Sequence, residues 1–226
     1  MRILVLGHGK TGKLVAEVAH ERGHGVHVLD AKENPGGAAL TAPFIAGFDA
    51  AIDFTTPQAV QTNLRALLAN GAKVVVGTTG WYDSLKDMRD LAQRRNAGML
   101  YGTNFSVGVQ LMLQLATEMT SALSGAGYTF AIEETHHATK LDAPSGTALT
   151  LQQAAGAAGQ VPITSKREGD ATGLHMLEAR SDADRIVLTH ESFSRRGFAE
   201  GAVRAAEWLA GRTGVYDFRD IYTQLK

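Results

Sequence analysis

Along the first hundred residues, short apolar runs alternate with longer segments of helical spacing. Arg2–Leu6 is apolar and β-branched and predicts a buried strand. Thr11–Arg22 puts Leu14, Val15, Val18 and Ala19 on one helical face and stops at Gly23. Strands are expected at Val26–Leu29 and Ala50–Phe54. Pro57–Asn70 predicts a helix: Thr56 suits the N-cap, Pro57 the first position, and Gly71 the stop. Its buried stripe is Val60, Leu64, Leu67 and Leu68. Lys73–Val76 reads as a fourth strand, Tyr82–Arg95 as a helix and Met99–Tyr101 as a fifth strand. Residues 31–49 carry Pro35, Pro43 and several glycines with weak periodicity, so a loop is expected there. Repeated strand–helix units predict a parallel sheet with helices on its faces.

Beyond Asn104 the pattern changes. Val107–Leu123 predicts a long apolar helix, Tyr128–Thr135 a strand and Ser145–Ala158 an Ala-rich helix. Strand-like runs at Gly173–Arg180 and Arg185–Phe193 follow without a helix between them, which predicts an open, antiparallel or mixed sheet. Phe198–Ala210 is a last helix. The fold class expected is α/β: a Rossmann-type parallel-sheet domain plus a smaller α+β domain.

Composition acts mainly by exclusion. The formal net charge of -1 provides no field for nucleic acid or an anionic membrane. With no cysteine, disulfides and thiolate metal sites are ruled out, which suits a reducing cytoplasm. No apolar run approaches the roughly 20 residues of a bilayer span. Ile3–Leu6 is too short for a signal sequence. A soluble, unprocessed, cytoplasmic protein is expected.

Two stretches carry candidate chemistry. "GHGKTG" places Gly7, Gly9 and Gly12 between a strand and a helix, the context in which this spacing cradles a pyrophosphate. Gly7 allows the turn, Gly9 the close approach, and Gly12 helix–strand packing. Asp30 ends the second strand, where an acid binds the ribose of NAD; Lys10, Lys13 and Lys32 leave NADPH open beside NADH. The alternative is a glycine turn with a surface aspartate. "DFTTP" (53–57) and "GTTG" (77–80) are further strand ends suited to the nicotinamide side, though each also reads as a cap or turn.

The second stretch is "HHATKLDAPSGTA", residues 136–148. His136 and His137 end a strand and point to opposite faces. Lys140 adds a positive charge. Ser145 is a candidate N-cap, and the N–H groups of Gly146 and Thr147 can grip a carboxylate. Asp142 either orients a histidine or caps the helix. Packing histidines and an ordinary cap are the alternatives. No metal is expected, because adjacent strand histidines diverge and no carboxylate triad is evident nearby.

The chain resembles the 4-hydroxy-tetrahydrodipicolinate reductase (dihydrodipicolinate reductase) family. The resemblance runs through "GHGKTG", "DFTTP", "GTTGW", "NFSVGV", "EETHHATKLDAPSGTAL", "THESFSRRGFAEGAVRAAEWL" and "GVYDFRD". It implies a dinucleotide-binding domain of residues 1–104 and 196–226, closing over a substrate-binding and oligomerisation domain of residues 105–195. It also implies a homotetramer acting on a cyclic dicarboxylate in lysine and diaminopimelate biosynthesis. Carried over by position, His136 and Lys140 are the implied proton donors. His137, Ser145, Gly146 and Thr147 are the implied substrate ligands. The implied cofactor positions are Gly7, His8, Gly9, Lys10, Thr11, Gly12, Asp30, Gly77, Thr78, Thr79, Gly102, Thr103, Asn104 and Phe105. Ala138 and Thr139 depart from the Arg and His that many members carry, which weakens the cationic field around the substrate. Arg195 and Arg196 are expected to brace the bend between domains. The competing readings are another imine or amino-acid dehydrogenase of this domain plan, and a non-catalytic NAD(P) sensor.

Overall fold

The computed structural model of the chain describes residues 1–156 and 159–225. The chain begins with β1 (Arg2–Leu6), α1 (Lys10–Glu21), β2 (Gly25–Leu29), α2 (Ala42–Ile45), β3 (Ala50–Asp53), α3 (Pro57–Ala69) and β4 (Lys73–Val76). It continues with α4 (Leu85–Arg94), β5 (Gly98–Tyr101), α5 (Val107–Leu123), β6 (Thr129–His136), α6 (Gly146–Ala154) and β7 (Ile163–Arg167). Last come β8 (Leu174–Arg180), β9 (Arg185–Glu191), α7 (Arg196–Leu209), β10 (Gly214–Asp217) and α8 (Phe218–Ile221). Two compact units result: Met1–Val107 with the segment from Arg196 onward, and Gly108–Arg195.

The first unit is a parallel sheet in the order β10-β5-β4-β3-β1-β2. Strand period sorts its side chains between two cores. Ile3 and Val5 pack with Val15 and Val18 of α1 and Val203 and Ala206 of α7. Leu4 and Leu6 pack with Leu64 and Leu68 of α3 and Met88 of α4. Because both faces are covered, the strands are nearly uninterrupted apolar runs. The chain moves from β1 out to β2 and then back across to β3. The topological switch therefore falls at the carboxyl ends Leu6 and Asp53, where such sheets bind ligands.

The second unit is a four-stranded mixed sheet, β7-β6-β8-β9. β6 runs parallel to β7 and antiparallel to β8, and β8 is antiparallel to β9. Its core joins Val109, Met112 and Ala116 of α5 and Leu151 of α6 to Ile132 and Leu177 of the sheet. β9 is an edge strand with exposed Ile186 and Val187. No described helix is long and apolar enough to cross a membrane.

Several elements differ from expectation. β7 and β10 were not anticipated. β7 reads "ITSKR", and β10 is four residues long. The helix expected through Ala158 ends at Ala154, with Ala155 as C-cap and Gly156 next; residues 157 and 158 lie outside the described residues. Gly156 is a poorer helix former than the alanines before it. The segment 31–49 is not all loop. A single 3-10 turn spans Pro35–Gly37 and α2 follows, with a proline in its first turn setting the backbone angle. The helix expected from Tyr82 starts as a 3-10 turn and becomes α-helical at Leu85.

Candidate active site

In the first unit, the glycine loop joins β1 to α1. Gly7 has φ 98, and a Cβ there would stand 2.3 Å from the Phe54 carbonyl oxygen. A Cβ on Gly12 would stand 2.1 Å from the Gly7 carbonyl oxygen, so α1 can lie this close to the loop only with glycine. Gly9 is different. Its φ of -75 suits any residue, and a Cβ there meets nothing within 4 Å. The loop is closed on the protein side and open at Gly9. The first turn of α1 holds no acidic residue and its cap makes no side-chain bond. His8, Gly9 and Lys10 are exposed and Thr11 is half-buried. The open loop could hold an anionic group, and the residues present fit a dinucleotide pyrophosphate.

Asp30 accepts the N–H groups of Lys32 at 2.7 Å and Glu33 at 3.0 Å through Oδ1. Those two backbone bonds hold its carboxyl below the ordinary value, so it is ionised and fixed at the end of β2. At the switch, Asp53 is buried and ties two loops together. Its Oδ1 accepts from Thr55 N–H (3.0 Å), Thr55 Oγ1 (2.6 Å) and Thr78 Oγ1 (2.8 Å), and its Oδ2 from Asn63 Nδ2 (2.9 Å). Burial pushes its pKa up against these four bonds.

Two expected cofactor residues do other work with their side chains. The Thr78 hydroxyl lies in the Asp53 network, buried. Phe105 is core: its ring lies 4.6 Å from Phe218 and 6.1 Å from Phe54. Gly77 lies against the Phe54 ring, where a Cβ would be at 2.2 Å. Thr79 and Thr103 are exposed, Gly102 is buried against Phe218, and Asn104 accepts the Ser106 N–H at 2.9 Å. Arg196 bonds Glu200 at 2.9 Å and pairs with Glu21, so it braces the start of α7 against α1 within this unit.

In the second unit, β6 ends with Glu134 and His136 on one face, both buried. His136 Nδ1 pairs with Glu134 Oε2. Glu134 Oε1 accepts from Arg167 Nη2 at 2.9 Å, and the same Nη2 donates to the Asp142 carbonyl at 2.5 Å. Burial pushes Glu134 up, but bonds from Ser165 and Arg167 and the charge of His136 outweigh it, leaving the carboxyl at about 2. Burial lowers the His136 pKa, and Glu134 opposes that. The His175 ring lies 5.1 Å from His136, edge to face, and burial followed by the His136 charge pushes it down to about 4. His175 Nε2 meets Ser145 Oγ at 3.2 Å.

The neighbouring turn is pinned by backbone bonds from Glu168 N–H to the His136 carbonyl (2.8 Å) and from Ala138 N–H to the Gly169 carbonyl (3.1 Å). His137 is half-exposed, with Nδ1 on Thr139 Oγ1 at 2.8 Å. Lys140 Nζ donates to both Asp142 oxygens at 2.8 and 2.9 Å, so Asp142 neither orients a histidine nor caps a helix. Ser145 is the cap, accepting Ala148 N–H at 3.2 Å. That use, with His175, turns its buried hydroxyl away from the ligand role expected of it. The open donors at the start of α6 are the N–H groups of Gly146 and Thr147, which have no partner among the described residues.

Glu134, Arg167 and His175 were missed in the sequence. Glu134 had a local signal, since it stands two residues from His136 and so shares its strand face. The other two come from β7 and β8, which only the fold brings near. Glu134, His136 and His175 each offer a ligand atom, all within 4.8 Å of one another, a grouping the sequence reading did not foresee. Arg167 already supplies Glu134 with a cation.

Comparison with known proteins places these features in context. Residues 1–105 match the family model "Dihydrodipicolinate reductase, N-terminus", and residues 108–222 match "Dihydrodipicolinate reductase, C-terminus". The chain is 34% identical over 240 residues to a 4-hydroxy-tetrahydrodipicolinate reductase of Christiangramia forsetii, covering 100% of this chain and 99% of the relative. It is also 34% identical to the enzyme of that name from Magnetococcus marinus, over 94% of each chain. Among solved structures, a dipicolinate-bound dihydrodipicolinate reductase from Paenisporosarcina sp. TG-14 superposes with a TM-score of 0.83 at 22% identity, covering 98% of this chain and 99% of the other. An amine dehydrogenase from Mycobacterium smegmatis shares the fold at a TM-score of 0.63 and 10% identity, covering 97% and 95%.

Proposed function

This chain belongs to the dihydrodipicolinate reductase family, and we propose that the residues described above carry out that family's reaction. The reaction is the NAD(P)H-dependent reduction of 4-hydroxy-tetrahydrodipicolinate to tetrahydrodipicolinate in lysine and diaminopimelate biosynthesis. One observation carries the assignment of residues. A buried, carboxylate-paired His136, the Lys140 ammonium and the open N-terminus of α6 all lie within one short stretch of one unit.

When bound, NAD(P)H supplies the hydride. The first unit binds it: Gly7, Gly9, Gly12 and the first turn of α1 hold the pyrophosphate, and Asp30 holds the adenosine ribose. Backbone groups at Gly77–Thr79 and Gly102–Asn104 border the nicotinamide side. The second unit binds the cyclic dicarboxylate. Gly146 and Thr147 N–H groups grip one carboxylate, helped by the Thr147 hydroxyl, and His137 receives the other. His136 Nε2 and Lys140 Nζ quench the negative charge that develops in the ring, a general-acid contribution of roughly 10²–10⁴-fold. Orientation of the dicarboxylate adds to this.

The dipicolinate seen in the Paenisporosarcina protein is a planar ring with two carboxylates, the ligand class this site suits. The proposal extends to a cytoplasmic homotetramer. The absence of cysteine and the exposed Ile186 and Val187 on edge strand β9 support it. The test is steady-state oxidation of NADH and NADPH with freshly generated substrate, alongside a panel of other imines and amino acids. Turnover of the cyclic dicarboxylate is expected; turnover only of the other substrates would refute the assignment.

A further inference from the structure

We propose that Glu134 is a positioning residue: it holds the Nδ1 proton of His136, so that Nε2 is the atom that exchanges a proton with the substrate. This rests on the reaction proposed above. Four observations converge. Glu134 and His136 share one face of β6, both buried, with Oε2 against Nδ1. Arg167 holds the other carboxylate oxygen at 2.9 Å, so Glu134 cannot rotate away from the imidazole. His136 Nδ1 has no other partner among the described residues. On the opposite edge, a Cβ at Gly173 would stand 3.1 Å from His136 Nε2. Gly173 has no left-handed backbone to explain it, so space beside Nε2 accounts for the glycine.

The charges around the pair explain why a carboxylate is needed. Arg167 faces it from β7, His175 from β8 with His190 opposite on β9, and Lys140 with Asp142 from the turn after β6. Ser145, at the start of α6, contributes only a neutral hydroxyl. Burial, Lys140 and Arg167 all work against a proton on His136, and Glu134 is the group that works for it. Without that carboxylate the imidazolium would be scarcer still at neutral pH. The neutral His175, fixed on Ser145, packs edge-on against the ring and holds its plane.

The test is Glu134→Gln, with Glu134→Asp as the conservative partner, in the full chain. In Glu134→Gln, kcat should fall roughly 10²- to 10⁴-fold with KM within about threefold. The His136 titration, followed by nitrogen NMR of the imidazole, should move to lower pH. Glu134→Asp should recover part of both effects. In the wild-type protein, the same spectra should show the neutral ring protonated on Nδ1, which decides the matter even if the variants fold poorly. Wild-type kcat in Glu134→Gln would overturn the proposal. So would a loss of kcat with the His136 titration unmoved, a wild-type ring protonated on Nε2, or a stoichiometric metal ion in the purified protein. Failure of the wild type to reduce the cyclic imine would sink the proposed reaction, while the spectra would still report on Glu134.

Discussion

Gly9 and Gly12 lie three residues apart, yet alanine should do opposite things at the two positions. At Gly12 the new Cβ would stand 2.1 Å from the Gly7 carbonyl oxygen, where ordinary contact begins at 3.4 Å. α1 must therefore retreat by about 1.3 Å or the loop must distort, an overpacking cost of about 1–3 kcal/mol. At roughly 2–4 °C per kcal/mol for a chain this size, Tm should fall by about 2–12 °C. The anion cradle moves with the helix, so NADH affinity falls as well. At Gly9 the backbone already suits alanine and the Cβ meets nothing within 4 Å. Stability should hold, or rise by about 0.4–1 kcal/mol as the unfolded chain loses freedom. Yet that open space is where the proposed cradle would receive the pyrophosphate, so crowding of about 1–3 kcal/mol should weaken NADH roughly 5- to 150-fold. Thermal melts and NADH titration by calorimetry separate the two effects. Wild-type NADH affinity in Gly9→Ala would refute the cradle, and an unchanged Tm in Gly12→Ala would refute the packing argument.

Other predictions follow from the second unit and the switch. His136→Gln should lower kcat far more than NADH affinity, and near-normal turnover in that variant would remove His136 from the chemistry. Thr147→Val should chiefly raise KM; an unchanged KM counts against the carboxylate site. His175 is depressed from 6.5 to about 4, so the unfolded chain binds more protons between those values and stability falls as pH drops through that window. At about 1.4 kcal/mol per pH unit the loss is at most about 3 kcal/mol, and urea melts from pH 7.5 to 4 should show a smaller acid-side loss in His175→Asn than in the wild type. Asp53→Asn, which sets an amide N–H group against the Asn63 amide donor in place of Oδ2, should cost about 1–3 kcal/mol and weaken NADH, checked by the same melts and titrations.

Most of the first unit was legible because both faces of its sheet are buried. Ile3–Leu6 and Val74–Val76 are apolar throughout, and Thr56, Pro57 and Gly71 mark both ends of α3. β10 escaped because "GVYD" is stabilised by pairing with β5, more than a hundred residues earlier. β7 escaped because "ITSKR" is half-buried at most and polar in its second half. At the proposed site, local sequence singled out the histidines and Lys140 as candidates, and it located the α6 cap. It misjudged Asp142 because the competition between Lys140 and His136 for that carboxylate is settled by the turn geometry. It missed Arg167 and His175 because strand register alone brings them to Glu134 and His136.

The first unit's sheet is assembled from chain segments separated by the whole second unit. Residues 108–195 precede α7 and β10 in the chain, so a chain cut after Arg195 keeps every strand of the second sheet while the first sheet loses β10 and bares the apolar surface that α7 covers. α7 and β10 thus act as a keystone: a chain lacking them has one finished lobe and one sticky one.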